Sequence, residues 1–200
     1  MTAGGTGYLV LGEAASSLQD VTRMLQLAWK TFRPRKPVAG RGLLDPSVTT
    51  MRVHPADLDI LFHVNNGAYL QMADIARWNY IADLDGLRRL GDRRWYPVVA
   101  ASTVKYKRSL KLGDRFEITT RVLGWDERVV YMEQVFTRGG DVCATAWVAG
   151  RFLSREGERI RMPDVVALLG PDAPLQSPSL PSDVAAWARA VDVAHREPTP

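Results

Sequence analysis

The chain has 200 residues, 46% hydrophobic and 24% charged, enough apolar mass for one sizeable core, which excludes a disordered chain. A formal charge of +4 spread over many segments makes no case for nucleic acid; it suits a phosphate-bearing small molecule or an acidic carrier protein instead. One cysteine, Cys143, excludes an internal disulfide framework, and His54, His63 and His195 are too scattered for a zinc site, so no metal is expected.

Met1 to Ser17 is rich in Gly, Ala, Ser and Thr, and its apolar run at Tyr8 to Leu11 is too short to span a bilayer. It also lacks the basic start of a signal peptide, so a cytoplasmic location is expected. Leu18, Val21, Leu25, Ala28, Trp29 and Phe32 then share one face of an amphipathic helix over about 18–32, ended by Arg33-Pro34-Arg35-Lys36-Pro37. That basic cluster beside an aromatic pair suits peripheral contact with an anionic membrane; packing on the domain or on a second subunit is the preferred reading. Residues 1–47 are thus an N-terminal extension that closes with a loop over 38–46.

The spacing predicts a first strand at Val48–Val53 and a helix over Asn66–Ile81, with Tyr69, Met72, Ala73, Ala76 and Tyr80 on one face. Asn65 or Asn66 serves as its N-cap and Gly86 as its stop, followed by an irregular connection over 83–94. Strands follow at Val98–Lys107, Arg115–Gly124, Val129–Thr137 and Val142–Phe152, separated by Leu112-Gly113-Asp114, Trp125-Asp126-Glu127 and Gly139-Gly140-Asp141 at hairpin spacing. Cys143 falls among Val142, Ala144 and Ala146 and reads as a buried small hydrophobe. One helix before four meandering strands makes an α+β domain, residues 48–155, in which a bent antiparallel sheet wraps the helix. Residues 156–200 read as a C-terminal strap with a short helix from Pro163 to Leu169 and a last one over 182–193, capped by Ser182 and docked through Trp187.

Chemistry concentrates between His54 and Tyr69. A helix N-terminus presents unpaired backbone N–H groups and a partial positive charge, and Asp59 and His63 lie just before one. A carboxylate, an imidazole and an oxyanion site within one small volume suffice to hydrolyse an acyl bond.

The string Asp59, His63, Val64, Asn65, Asn66 and Tyr69, as Asp-x-x-x-His-Val-Asn-Asn-x-x-Tyr, resembles the acyl-CoA thioesterases of the hot-dog fold, in the 4-hydroxybenzoyl-CoA thioesterase-like branch. Lys105 to Asp114 resembles the family's Tyr-x-x-Pro-Leu-x-x-Gly-Asp segment. Leu123 to Arg128 and the tail look like one subgroup, thioesterase superfamily member six and its bacterial relatives. The resemblance implies Asp59 as general base or nucleophile, with His63 orienting the loop or hydrogen-bonding Asp59. The N–H groups of Val64, Asn65 and Asn66 become the oxyanion donors, and Tyr69 either lines an acyl tunnel or is a core aromatic. Asp57 is given a backbone-organising role. Lys105, Lys107, Arg108 and Lys111 are candidates for the phosphates of coenzyme A.

The implied reaction is hydrolysis of a fatty or aromatic acyl-CoA or acyl carrier protein thioester, with coenzyme A as part of the substrate and no separate cofactor. The implied assembly is a homodimer, or a dimer of dimers, with sites at the interface. Two positions depart from the pattern: Phe62 stands where many relatives carry Gly, and Ser109 where Pro is usual. A related hydratase motif, Asp-x-Asn-Pro-x-His, is excluded by the spacing, which leaves a non-catalytic acyl-CoA-binding or membrane-associated protein as the alternative.

Overall fold

The computed structural model describes Leu25, residues 34–174 and residues 176–194. The expected helix over 18–32, and with it the membrane reading, lies outside the described residues apart from Leu25, which is helical and exposed. No helix among the described residues is long and apolar enough to cross a membrane.

The central helix α1 runs from Asn66 to Asp83, and Asn65 caps it by accepting the Gly67 N–H at 2.7 Å. Its buried positions, from Ala68 and Tyr69 through Ala76 to Tyr80 and Ala82, form a broad face turned to the sheet, while Leu70 and Asp74 on the other side are exposed. It ends at Asp83, three residues before the stop expected at Gly86. Asp85 takes a left-handed backbone, and Gly86 opens a second helix, α2 (Gly86–Arg93), where an irregular connection was predicted. The sequence hides this helix because its apolar face is only Leu87 and Leu90, three apart, amid arginines and glycines. Gly86 is required by space: a Cβ there would meet the Ile81 side chain and carbonyl oxygen, both at 2.8 Å.

The strands are β1 (Ser47–Arg52), β2 (Trp95–Tyr106), β3 (Arg115–Trp125), β4 (Val130–Arg138), β5 (Asp141–Ser154) and the short β6 (Arg159–Ile160). They pair antiparallel in the order β1-β3-β4-β5-β2, with β6 beside β5. The predicted meander holds for β3-β4-β5, where Gly139 and Gly140, both at positive φ, form a two-residue hairpin turn. It fails for β2, which pairs with β5 at the far edge, so Leu112-Gly113-Asp114 is not a hairpin turn but part of a crossing. Residues 107–114 can reach about 26 Å when extended, against roughly 14 Å for three strand spacings. Leu110, fully buried, anchors that crossing under the N-terminal end of α1.

Two apolar clusters fill the space between α1 and the sheet. One, at the N-terminal half of the helix, contains Tyr69, Met72, Phe116, Ile118 and Phe136; the other, at its C-terminal half, contains Tyr80, Val122, Met132, Phe152 and residues of α3 (Met162–Leu169). A buried polar layer lies at the middle of the helix. Gln134 on β4 donates to the Ala73 carbonyl at 2.9 Å and to Thr120 Oγ1 at 3.1 Å, while its own oxygen accepts from Arg77 at 2.5 Å. Asn79 donates to Thr49 Oγ1 at 3.0 Å, and Ser47 donates to Asp83 at 2.6 Å.

The last helix, α4 (Ser182–Ala190), covers a third cluster through Val184, Ala188 and Trp187, the last against Trp147. Ser182 is its first helical residue and not its cap; Pro181 holds the cap position without a side-chain bond, since proline has no side-chain acceptor.

Replacing Gln134 by Leu removes one acceptor and two donors from a fully buried site. Gln134→Leu is expected to cost about 2–4 kcal/mol of stability, measured by urea denaturation, and Gln134→Glu less, because it keeps the acceptor for Arg77.

Candidate active site

The loop before α1 is built by its own backbone. A 3₁₀ turn at Pro55–Asp57 places Asp57, fully buried, so that its carboxylate accepts the His54 N–H at 2.7 Å. Two backbone bonds, Asp59 N–H to His63 O at 2.7 Å and Asn65 N–H to Asp57 O at 2.8 Å, bring Leu58 opposite Val64 and pinch the intervening residues into a tight loop. Within it, one oxygen of Asp59 accepts from the N–H groups of Leu61 at 2.8 Å and His63 at 3.1 Å. Phe62 adopts the left-handed conformation, φ 59°, that glycine would take without strain, and Ile60, Leu61 and Phe62 are thrust into solvent.

Asp57 thus has the organising role expected of it. Asp59 is half-buried, and its Oδ2 makes no hydrogen bond among the described residues. His63 touches Asp59 through its backbone and not its imidazole, which is exposed. Of the three N–H groups expected as oxyanion donors, one is engaged. The Asn65 N–H is spent on Asp57, because the same bond closes the loop, whereas the Val64 and Asn66 N–H groups have no partner among the described residues. Asn65 keeps its place as cap.

Tyr69 is a core aromatic. It is buried with Tyr106 and Phe136 edge-on at 5.1 and 5.3 Å, and its hydroxyl accepts from the Leu110 N–H at 3.5 Å. Lys105, Lys107, Arg108 and Lys111 are all exposed at the end of β2 and in the crossing, and Tyr106 reaches the Asn66 carbonyl at 3.4 Å, so they share the motif's end of the domain. Arg108 is engaged by Asp141. Cys143 is fully buried and its thiol is pushed up by burial, which suits a packing residue and not a nucleophile.

The other opening is one the sequence did not announce. A cavity of about 190 Å³ lies at the C-terminal half of α1, bounded by β2, β4, β5 and α3. Its solvent-facing rim is Asp74, Arg77 and Trp78 on α1 with Val99 on β2, and its depth is apolar. Arg77 is held by Gln134 and Asp74, and burial lowers its guanidinium to about 10. The available signal was Gln134, a polar residue between Met132 and Phe136 on the inward face of its strand, facing Arg77 on the helix.

The family model of the Thioesterase-like superfamily matches residues 53–188, and the chain belongs to that superfamily and has its hot-dog fold. Among named relatives, it is 32% identical over 184 residues to Protein THEM6 of Xenopus laevis, covering 92% of this chain and 87% of that one. It is 28% identical over 89 residues to the long-chain acyl-CoA thioesterase FadM of Escherichia coli, covering 44% of this chain and 67% of that one. Among solved structures, the YbaW probable thioesterase from Escherichia coli superposes with a TM-score of 0.56 at 24% identity, over 60% of this chain and 92% of that one.

Burial raises the phenols of Tyr69, Tyr80, Tyr106 and Tyr131 above the ordinary 10.0, with a hydrogen bond to Asp126 adding to the effect at Tyr131. The unfolded chain therefore releases these protons first as pH rises, so their contribution is intact below pH 10 and lost above it. Absorbance titration of phenolate should show these four ionising late, with the midpoint of urea unfolding falling above pH 10.

Proposed function

We propose that the protein hydrolyses an acyl-CoA thioester to free acid and coenzyme A. The observation that carries this reading is Asp59: one carboxylate oxygen is tied down by two backbone N–H groups and the other is left without a bond among the described residues, in the same short loop whose Val64 and Asn66 N–H groups have no partner among those residues. In this mechanism Asp59 removes a proton from water as the water attacks the thioester carbon, or attacks that carbon itself to give an anhydride that water then opens. Either route breaks the C–S bond and releases the acid and the coenzyme A thiol. Negative charge developing on the carbonyl oxygen is met by the Val64 and Asn66 N–H groups and the positive end of α1. His63 acts as a positioning residue through its backbone bond to Asp59.

Lys105, Lys107 and Lys111 receive the phosphates of coenzyme A, or the acidic surface of a carrier protein. No metal or redox cofactor enters the route, and a cytoplasmic setting belongs to the same reading. The acyl group is fatty or aromatic, and the similarity to a long-chain acyl-CoA thioesterase supports the fatty one. Asp59→Asn keeps an oxygen able to accept from Leu61 and His63, so the loop should survive. The variant should lose at least about a hundredfold in kcat on a panel of acyl-CoAs, read as thiol release.

One observation favours a second reading. The same Asp59 oxygen caps its own loop, which would suffice for a non-catalytic acyl-CoA-binding protein. Lack of turnover in both wild type and Asp59→Asn, with acyl-CoA still bound, would favour this reading.

We also propose a homodimer joined along β2. That strand is an edge of the sheet, and it exposes Tyr96, Val99 and Tyr106. It runs antiparallel to α1, with Trp95 near the cavity end and Tyr106 near the motif end. Antiparallel pairing of two copies through the middle of β2 would bring one copy's motif beside the other's cavity. Sedimentation velocity at micromolar concentration is expected to give a dimer for wild type and a monomer for Val99→Lys; a monomeric wild type would contradict the arrangement.

A further inference from the structure

Ile60, Leu61 and Phe62 stand consecutively at the tip of the motif loop, 85%, 68% and 77% exposed. A contiguous run of exposed apolar side chains marks a surface that meets something other than water. The exposure is not a by-product of looseness. The Leu58–Val64 bridge closes the neck, Asp59 ties the tip through the Leu61 and His63 N–H groups, and Phe62 is held at φ 59°, which is costly for a bulky side chain. A rigid loop thus presents three apolar side chains outward.

The surroundings of the tip supply charge. The crossing over 107–114 brackets the loop: the Gly113 N–H donates to the Val53 carbonyl ahead of it at 3.1 Å, and at the other end the Tyr106 hydroxyl reaches the Asn66 carbonyl behind it at 3.4 Å. Lys105, Lys107 and Lys111 are exposed there and form no ion pair among the described residues, whereas the neighbouring carboxylates of Asp114 and Asp141 are engaged by Arg138 and Arg108. Leu112, in the same crossing, is 55% exposed.

These features select among occupants. A two-fold contact between copies through this tip would set each lysine cluster against its own likeness, which like charge opposes. Free coenzyme A would occupy the lysines and leave the tip in water. A bilayer with anionic headgroups uses both, since apolar side chains enter the boundary of the acyl layer while lysines stay at the phosphates.

We propose that the motif loop is a peripheral membrane anchor, with Ile60, Leu61 and Phe62 inserted into the interfacial layer of an anionic bilayer and Lys105, Lys107 and Lys111 on its headgroup phosphates. This contact is separate from the amphipathic stretch expected over 18–32. It holds Asp59, next to Ile60 in the chain, at the lipid surface where a long-chain acyl-CoA partitions; that consequence alone rests on the thioesterase reading.

The test is cosedimentation of the full-length protein with vesicles of phosphatidylcholine alone and of an equal mixture of phosphatidylcholine and phosphatidylglycerol. Wild type is compared with Phe62→Gly, Leu61→Ser and a triple variant carrying Lys105→Gln, Lys107→Gln and Lys111→Gln. Phe62→Gly suits the purpose because glycine takes φ 59° without strain, so the loop keeps its shape while an apolar side chain is removed. Wild type is expected to partition onto the mixed vesicles at least about tenfold more strongly than onto phosphatidylcholine, and less so as salt rises. Phe62→Gly and Leu61→Ser should each weaken that partition at least about tenfold, and the lysine variant should lose the preference for phosphatidylglycerol. An environment-sensitive fluorophore attached at Leu61→Cys should shift to the blue on the mixed vesicles; Cys143, fully buried, stays unlabelled.

Wild type that stays in the supernatant overturns the proposal, as do tip variants that partition like wild type, since binding would then lie elsewhere in the chain. A Phe62→Gly protein that sediments as a monomer where wild type is a dimer overturns it too, because the tip would belong to a second copy. None of these readouts uses turnover, so a failed anchor leaves the hydrolysis standing, and absent hydrolysis leaves the anchor standing.

Discussion

The broad buried face of α1 requires the polar groups that lie on it to find partners inside the protein. The Gln134 side chain meets that demand. It bonds to a main-chain carbonyl of α1, to Thr120 on the neighbouring strand and to Arg77, so one residue of the sheet fixes both the rotation and the height of the helix. The apolar packing on either side is non-directional and would tolerate a slide along the helix axis; the hydrogen bonds would not. Both ends of α1 depend on this register, the motif loop at one and the cavity rim at the other.

The loop at the N-terminus shows how a short segment can be rigid without packing. Asp57 holds the entry, the Leu58–Val64 bridge closes the neck, and Asp59 ties the tip, so the side chains of Ile60, Leu61 and Phe62 can be exposed while the backbone stays ordered. In the proposed reaction the two oxygens of Asp59 have separate uses. The structural use of one fixes the direction of the other, which is what a positioned base requires.

At the opposite end, the cavity owes its walls to segments appended to the wrapped helix. Leu43 lies before β1 and α3 lies after β6, and between them they close what the sheet leaves open. The matched solved structure covers 60% of this chain, so the appended parts are where this chain has room to differ from it. The strap is fitted as closely: the Ser177 hydroxyl accepts the Trp125 N–H at 2.7 Å, in a space that a Cβ on Gly124 would fill.

Much of this was legible in the sequence because it is local. The three-and-four spacing from Tyr69 to Tyr80, the Asn65 cap, the Gly139-Gly140 turn and the Asp59-to-Tyr69 string each depend on neighbours within a turn or a hairpin. Their physics is carried by adjacent residues. The helix α2 was missed because two leucines among arginines make too narrow a stripe, and they are helical only because the core accepts them. The order of β2 in the sheet, the engagement of the Asn65 N–H by Asp57, the burial of Tyr69 and the existence of the cavity were decided by the tertiary structure. Each depends on groups far apart in the chain that meet only when the sheet closes around α1, and no local periodicity encodes which of them touch.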